Sequence, residues 1–213
     1  VRGVKVLRGG SYSIIPDQIE AGTYMVGAAL TGGNVLIRNV IPKHLEPITD
    51  KLESAGASVE VFDDAVRVWR TGEILPVNVK TAPYPGFPTD MQALMGVLLC
   101  RASGTSIITE SVWESRFRYV DELQRMGANI QVNGKVAVFE GVPQLQAAPV
   151  RATDLRAGAG MVMAALAAEG TSEIEGIEHI DRGYEDIVEK LQGLGADIRR
   201  VEFVQSGSIH QVG

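Results

Sequence analysis

The apolar and polar positions of this 213-residue chain follow the same order of patterns three times in succession. Each copy contains a helix-like stretch that is apolar on nearly every side, a short β-rich stretch, and a helix-like stretch with one apolar stripe. A helix that is apolar all round belongs in a core, whereas a striped helix packs on a core with one face. The order predicts three βαβαββ units, covering about residues 11–72, 76–141 and 148–204.

A helix-ending phrase marks the same point in each unit. It finishes with Gly56–Ala57, Gly127–Ala128 and Gly195–Ala196, so it recurs after about 70 residues. That period is too long for a solenoid repeat and fits copies of a whole supersecondary unit. We therefore expect one α/β domain over residues 1–213 with pseudo-threefold symmetry. Its three buried helices would lie inside and its three sheets outside, as in an inside-out α/β barrel, with the third unit incomplete.

The periodicity also predicts individual elements. The predicted helices cover residues 20–30, 44–54, 90–102, 118–126, 155–168 and 184–194. Two hairpins are predicted to turn at Asp63–Asp64 and at Asn133–Gly134, the latter pair being a strong hairpin signal. Residues 11–15 are predicted to form the first strand of the first unit, and residues 198–204 the one clear strand that ends the third.

Composition narrows the partners. A net charge of −6 argues against nucleic acid or an anionic membrane as the main partner, while an anionic small molecule stays open. No apolar stretch reaches the ~18–20 residues of a membrane span, and no signal peptide is recognisable. The three histidines lack metal-ligand spacing, and there is no nucleotide-cofactor fingerprint, so we expect no metal and no cofactor. Cys100, the only cysteine, is predicted to be an inert core thiol.

Candidate chemistry lies at the starts of two buried helices. The proline-rich residues 80–90 lead into the second unit's buried helix, where Asp90 is either a functional carboxylate or, with Thr89, part of a helix cap. Asp154 and Arg156 begin the matching helix of the third unit. There they either flank a small anion or act as a cap beside a solvated arginine.

Two charged links between strand and helix break the repeat pattern. Residues 113–118 contain Arg116, and residues 179–185 contain Arg182. The planar fork of an arginine suits carboxylate and phosphate groups. The alternative for Arg182 is a surface ion pair with Glu185, which would contribute little to stability.

At these residues the sequence resembles the enolpyruvyl transferases. The resemblance extends over about residues 12–201, and four stretches carry it: Lys80–Pro83, Phe87–Gln92, Thr153–Ala157 and His179–Glu185. It implies transfer of the enolpyruvyl group of phosphoenolpyruvate to the 3′-hydroxyl of UDP-N-acetylglucosamine, for peptidoglycan synthesis in the cytoplasm. Acceptance of shikimate 3-phosphate is the alternative within the family, and a non-catalytic repeat domain that binds a partner is the alternative outside it.

The resemblance also implies a two-domain enzyme, with this chain as its C-terminal domain. The family's catalytic cysteine loop and its phosphate-binding lysine and arginine would then belong to a missing N-terminal domain. The N-terminal strand that completes the third unit would be missing too. Because the chain opens at Val1 with strand-like sequence, we expect it to be a piece of a longer protein.

The resemblance implies catalytic roles for four residues. Asp90 matches the carboxylate that contacts the sugar 3′-hydroxyl and acts as general base. Asp154 matches a carboxylate near the reacting centre. Arg156 and Arg182 match basic residues that engage phosphoenolpyruvate when the domains close.

The resemblance also implies substrate-binding roles for Thr89, which lies beside the base, and for Val112, whose backbone would touch the UDP-sugar. Asp90 belongs to this set as well, because it contacts the sugar hydroxyl. Arg116 matches an arginine that lines the cleft. The family has Asn where this chain has Ser115, immediately before that arginine.

Overall fold

The computed structural model of the chain describes residues 1–201, in which helices and strands alternate. The helices are α1 (Gln18–Thr31), α2 (Pro42–Ser54), α3 (Gln92–Leu99), α4 (Val120–Arg125), α5 (Leu155–Ala167), α6 (Glu178–Asp181) and α7 (Ile187–Gly193), and a 3₁₀ turn (Thr89–Met91) precedes α3. The strands are β1 (Asn34–Arg38), β2 (Ser58–Val61), β3 (Ala65–Trp69), β4 (Val79–Lys80), β5 (Thr105–Thr109), β6 (Asn129–Asn133), β7 (Val136–Glu140), β8 (Pro149–Arg151) and β9 (Glu173–Glu175). The fold is therefore mixed α/β.

The strands of the described residues form three sheets, with the orders β1-β3-β2, β4-β5-β7-β6 and β8-β9. Both predicted hairpins are present: β2 pairs with β3 across Asp63 and Asp64, and β6 pairs with β7 beside Gly134. Two further pairs are parallel, β4 with β5 and β8 with β9. Parallel neighbours need a crossover between them, and α3 and α5 supply it.

The core is built on α1, α3 and α5, which contact one another. Every residue of α3 is buried, as its mostly apolar sequence predicts, and the burial extends to the polar Gln92. Helix α5 is rich in alanine and glycine, so its neighbours can approach it closely. The buried apolar side chains join into one cluster that also includes residues of the striped helices, such as Leu45, Leu123 and Leu191.

The repeated helix-ending phrase has the same geometry in all three copies. Its glycines all have left-handed backbone, with φ values of 89°, 85° and 94° for Gly56, Gly127 and Gly195. In each copy the following alanine N–H donates to the carbonyl five residues earlier. These bonds are Ala57 to Leu52 at 2.9 Å, Ala128 to Leu123 at 3.0 Å and Ala196 to Leu191 at 3.0 Å. The sequence repeat is thus a structural repeat at this point, and it follows the pattern expected of glycine-terminated helices.

Two predicted strands do not form. Residues 11–15 pair with no other described residue, and Tyr12 and Ile14 are 84% and 90% exposed. A strand is stabilised by its ladder partners and by burial of one face, and this segment has neither. Residues 198–201 also form no strand, for the same lack of a described partner, and residues 202–204 of that prediction lie outside the described residues.

One predicted helix is shorter than its pattern suggests. The helix expected over residues 184–194 begins only at Ile187, because Asp186 has φ 49° and ψ 41°, a left-handed conformation that an α-helix does not accommodate. The helix expected from residue 90 starts as the 3₁₀ turn. Within residues 1–201 no helix combines the length and the apolar character needed to cross a membrane.

Candidate active site

Arg156 joins three helix starts, one from each predicted repeat unit. It lies in the first turn of α5, its Nε donates to Oδ2 of Asp90 at 3.3 Å, and its Nη2 lies 3.6 Å from Oδ2 of Asp17, the residue that caps α1. The Arg156 side chain is only 13% exposed. The sequence brings these groups together because each of the three buried helices begins beside an aspartate, and the helices pack on one another.

Asp90 is held between two arginines. Arg116 Nη2 donates to its Oδ1 at 2.9 Å, while Arg156 takes its Oδ2. Its helix starts after Pro88 without any side-chain cap, so the capping interpretation of Asp90 and Thr89 is wrong. The carboxylate accepts no backbone N–H from the described residues, and 41% of the side chain is exposed. Asp90 is therefore an accessible anion whose described partners are cations.

The Arg156 guanidinium also stacks on an aromatic ring. Its central carbon lies 5.4 Å from the ring centre of Tyr184, a buried residue whose hydroxyl shares a 2.9 Å hydrogen bond with Thr23. Burial favours loss of the Arg156 proton, but Tyr184, Asp17 and Asp90 outweigh it, and the pKa of the guanidinium is raised. Its buried Nη1 has no partner among residues 1–201, so the cation retains a donor.

Asp154 is a helix cap, one of the two alternatives left open by the sequence. Its Oδ1 accepts the backbone N–H groups of Arg156 and Ala157, both at 2.9 Å. These bonds satisfy two of the free N–H groups at the start of α5. No hydrogen bond within the described residues uses Oδ2, which leaves one oxygen for another role. Asp154 thus meets the rest of the site through the backbone of Arg156.

Thr89 and Val112 both point polar groups toward one buried carboxylate. The Thr89 hydroxyl donates to Oε2 of Glu110 at 2.8 Å, and the Val112 N–H donates to Oε1 at 2.8 Å. Glu110 is only 1% exposed and also accepts hydrogen bonds from the Thr81 hydroxyl and the Trp113 N–H. Because the Val112 N–H is occupied, its carbonyl is the backbone group left to meet a ligand.

Glu110 is stabilised as an anion. Burial alone would raise the pKa of its carboxyl, but the hydrogen bonds from Thr81, Trp113, Val112 and Thr89 lower the pKa below the usual range of glutamate. Each of these donors favours the charged form of the acid.

Arg116 reaches Asp90 from a strained position in the chain. The preceding residue, Ser115, has φ 54°, which is left-handed. Asparagine tolerates this conformation better than serine, so the Asn that the family has at this point fits the backbone. The Arg116 side chain is 22% exposed and lines the accessible side of the Asp90 carboxylate.

Arg182 forms no hydrogen bond or ion pair with the other candidate residues in the part of the chain that the structure describes. It is exposed in a surface cavity of about 560 Å³, and within the described residues it forms no ion pair. The pair with Glu185 that the sequence suggested is absent there. Asp181 instead accepts two hydrogen bonds from Arg200, at 2.7 and 2.8 Å, which lower the pKa of that carboxyl.

The geometry places an accessible carboxylate between two arginines at the meeting point of three buried helices. Comparison with known families bears directly on it. The sequence model of EPSP synthase (3-phosphoshikimate 1-carboxyvinyltransferase) matches residues 1–191, almost the whole described chain. The chain belongs to the EPSP synthase family.

Relatives in this family are close in sequence. The chain is 59% identical over 201 residues to the UDP-N-acetylglucosamine 1-carboxyvinyltransferase of Clostridium botulinum, covering 94% of this chain and 48% of that protein. It is 53% identical over 204 residues to the enzyme of the same name from Desulfofundulus thermocisternus, covering 95% and 84%. The chain thus spans about half the length of the first relative and most of the second.

A solved structure in the EPSP synthase family supports the fold. The enolpyruvyl transferase NikO from Streptomyces tendae superposes with a TM-score of 0.79 and 34% sequence identity, over 87% of this chain and 44% of that chain. The mixed α/β architecture is therefore that of an enolpyruvyl transferase.

Sequence reasoning missed three residues that the structure places at this candidate site: Asp17, Glu110 and Tyr184. Asp17 follows Pro16 directly before α1, so aligning the three repeats would have placed it beside Asp90. Tyr184 lies in a stretch already quoted for the resemblance, but its role under Arg156 depends on tertiary packing. Glu110 carried no signal, since an acid after a strand is normally solvated.

Within residues 1–201 there is no group of three His, Cys, Asp or Glu side chains that could hold an ion. Cys100 is a free, buried cysteine, and burial raises the pKa of its thiol, which disfavours the reactive thiolate.

Proposed function

We propose that this chain is one lobe of a transferase that moves the enolpyruvyl group of phosphoenolpyruvate to the 3′-hydroxyl of UDP-N-acetylglucosamine. Membership of the EPSP synthase family and the names of the relatives support this reaction. The observation that carries it is the Asp90 carboxylate, accessible and held between Arg116 and Arg156. In the net reaction the sugar oxygen bonds to C2 of phosphoenolpyruvate, the bond from C2 to the phosphate oxygen breaks, and phosphate leaves with the hydroxyl proton.

Asp90 would act as the general base. A base must be ionised and within hydrogen-bond reach of the proton that it removes. Arg116 and Arg156 each donate to one oxygen of Asp90, so the carboxylate is held in a fixed orientation. Its exposed edge gives the sugar hydroxyl a path to the carboxylate.

The arginines would bind the anionic substrate. Phosphoenolpyruvate carries a carboxylate and a phosphate, both of which match the fork of a guanidinium. Arg156 Nη1 has no partner among the described residues but is buried, so it would meet the substrate only when the site rearranges on closure. Arg182 is exposed and would engage the substrate at the same step. Asp154, with its second oxygen uncommitted, would face the reacting centre.

Three residues would position the sugar nucleotide. The Val112 carbonyl is the outward backbone group, since its N–H is bonded to Glu110. Arg116 lines the cleft beside Asp90. Thr89 would act through its bond to Glu110, which fixes the turn that carries Asp90.

We further propose the domain arrangement that the family resemblance implies. Residues 1–213 would form one domain, with α1, α3 and α5 inside and the sheets outside about a pseudo-threefold axis; the mutual contacts of the three helices support this. A second lobe would supply a catalytic cysteine loop and a phosphate-binding lysine and arginine. Closure of the two lobes would exclude water from the reaction, which would belong to cytoplasmic peptidoglycan synthesis.

The proposal is tested by measuring phosphate release by the complete protein, that is, the full-length transferase of which this chain would be one lobe. With phosphoenolpyruvate, UDP-N-acetylglucosamine should support turnover and shikimate 3-phosphate should not. Turnover with shikimate 3-phosphate alone would assign the other acceptor, and turnover with neither would favour a non-catalytic binding domain. This chain by itself should release no phosphate, because it lacks the groups assigned to the second lobe.

A further inference from the structure

Glu110 is a buried carboxylate that takes no direct part in the proposed reaction. It follows β5 directly, is 1% exposed and accepts four hydrogen bonds from residues within the chain. Burying a charge is unfavourable unless it is paired or fully hydrogen-bonded. An apolar residue at this point would avoid the cost. The role of Glu110 therefore depends on the segments from which its four donors come.

The four donors come from three separate segments that border the site. Thr81 belongs to the segment after β4, and Thr89 to the turn that carries Asp90. Val112 and Trp113 belong to the loop after β5. Two of these segments therefore hold groups assigned to the reaction, the base and the backbone that faces the sugar nucleotide.

Thr81 ties the loop to this carboxylate a second time. Its hydroxyl donates to Glu110 at 2.7 Å and accepts the N–H of Ser111 at 2.9 Å. The Ser111 hydroxyl in turn donates to the Thr81 carbonyl, and the Thr81 N–H donates to the Thr109 carbonyl at 3.0 Å. The hydrogen bonding between the β4 and β5 segments thus continues past the ends of the strands to Glu110.

We propose that Glu110 is a positioning residue that locks the Asp90 turn to the Val112 loop, so that the base and the sugar-contacting backbone keep one relative geometry. This inference rests on the proposed function of Asp90 and Val112. The bond from Thr89 is one arm of this anchor and holds the turn that carries the base. The bond from Thr81 is the other arm and holds the Val112 loop. A displacement of about 1 Å at a reacting group can cost roughly 100-fold in rate, so such an anchor matters for turnover.

Kinetics of the complete protein separate the two arms. Thr89→Val removes the bond between Glu110 and the Asp90 turn and should lower kcat roughly tenfold or more, with a smaller rise in KM for the sugar nucleotide. Thr81→Val loosens the loop and should raise that KM, with a smaller change in kcat. Thr105→Val, at an exposed threonine of β5, is the matched control. Equal kcat and KM for both variants and the wild type would overturn the proposal.

Two substitutions of Glu110 test the anchor itself. Glu110→Ala should lower kcat and raise KM together. Glu110→Gln should recover most of this loss, because its amide oxygen can accept the backbone N–H groups while its amide nitrogen donates to a rotated Thr89 hydroxyl. A glutamine variant as impaired as the alanine variant would contradict a purely geometric anchor.

Hydrogen exchange of the complete protein gives a readout independent of activity. Glu110→Ala, or Thr89→Val and Thr81→Val if the alanine variant does not fold, should speed exchange in both residues 81–90 and residues 110–117. Glu122→Gln is the control, since Glu122 is a buried carboxylate that accepts the N–H of Arg151 away from these segments. Unchanged exchange in both segments would overturn the inference, whereas absence of turnover in the wild type would instead overturn the proposed function.

Discussion

Asp90 and Asp154 occupy the same place in successive predicted repeat units, at the start of a buried helix, but they are bonded differently. Asp154 accepts two N–H groups of its own helix. Asp90 accepts hydrogen bonds only from Arg116 and Arg156 among the described residues, and neither arginine belongs to its helix. A carboxylate bonded within its own helix stabilises that helix, whereas one bonded only to cations from other segments is available for chemistry.

Asp17 combines both arrangements at the start of α1. One oxygen accepts the N–H of Ile19 at 2.8 Å, and the other lies 3.6 Å from Arg156. The three aspartates therefore form a series from a helix cap, Asp154, to a carboxylate paired only with arginines, Asp90, and the Arg156 side chain contacts Asp17 and Asp90. Substitutions along this series should divide between activity and stability.

The largest effect is expected for Asp90→Asn in the complete protein. An amide cannot take the hydroxyl proton, and removal of a general base typically costs about 10²–10⁴-fold in rate. We expect kcat to fall by that order while the thermal unfolding midpoint stays close to that of the wild type, because Asp90 caps nothing. Asp121→Asn, at an exposed site on α4, is the control, and near-normal turnover of Asp90→Asn would refute the assignment.

Arg156→Lys should have the next largest effect. The guanidinium contacts two carboxylates and a tyrosine ring at once, and an ammonium cannot reproduce this planar set of contacts. We expect kcat/KM for phosphoenolpyruvate to fall at least about tenfold, or ~1.4 kcal/mol. Steady-state kinetics measure it, and a lysine variant with wild-type kcat/KM would show that charge alone suffices at this position.

Asp154 allows its cap and its chemistry to be separated with two variants. Asp154→Ala loses the cap of α5 and should destabilise this chain by about 1 kcal/mol in urea unfolding. Asp154→Asn keeps an equally good cap, so its stability should match the wild type, and any loss of turnover in the complete protein then reports the second oxygen. A stable alanine variant would contradict the capping role.

The smallest effect is a dependence of stability on pH through Glu110. Because its pKa is lower in the folded than in the unfolded chain, its ionisation stabilises the fold fully above the ordinary glutamate pKa of about 4.3. That contribution is lost as the pH falls from there through the lower folded pKa. The free energy of unfolding of the wild type relative to Glu110→Gln should therefore decline on acidification below about pH 4. A difference independent of pH would contradict the lowered pKa.

The sequence predicted the helices and hairpins well because their signals are local. No information from elsewhere in the chain is needed to predict the mostly apolar α3 or the turn at Asp63–Asp64. The strand predicted over residues 11–15 failed because a strand depends on a partner that its own sequence does not specify. The left-handed Asp186, which delays α7, is a conformation of a single residue that the hydrophobic pattern does not encode.

The candidate site was predictable where a motif carried it. Asp90, Asp154 and Arg156 stand in stretches that resemble a known family, and the structure places them at adjoining helix starts. Glu110 was not predictable, because two of its donors, Thr81 and Thr89, lie 29 and 21 residues away along the chain. A buried acid can be recognised only once the groups that compensate its charge are known.

The three helix endings share one backbone geometry, so the same substitution can be compared at three positions of one molecule. A methyl group added at Gly127 or Gly195 would meet no neighbouring atom within 4 Å, whereas one added at Gly56 would approach the Glu73 carbonyl to 3.0 Å. Alanine at the first two positions therefore measures the left-handed backbone preference alone, and alanine at the third measures that preference plus crowding. The three positions share one chain, solvent and temperature. The difference in unfolding free energy between Gly56→Ala and the other two variants therefore reports the crowding against the Glu73 carbonyl.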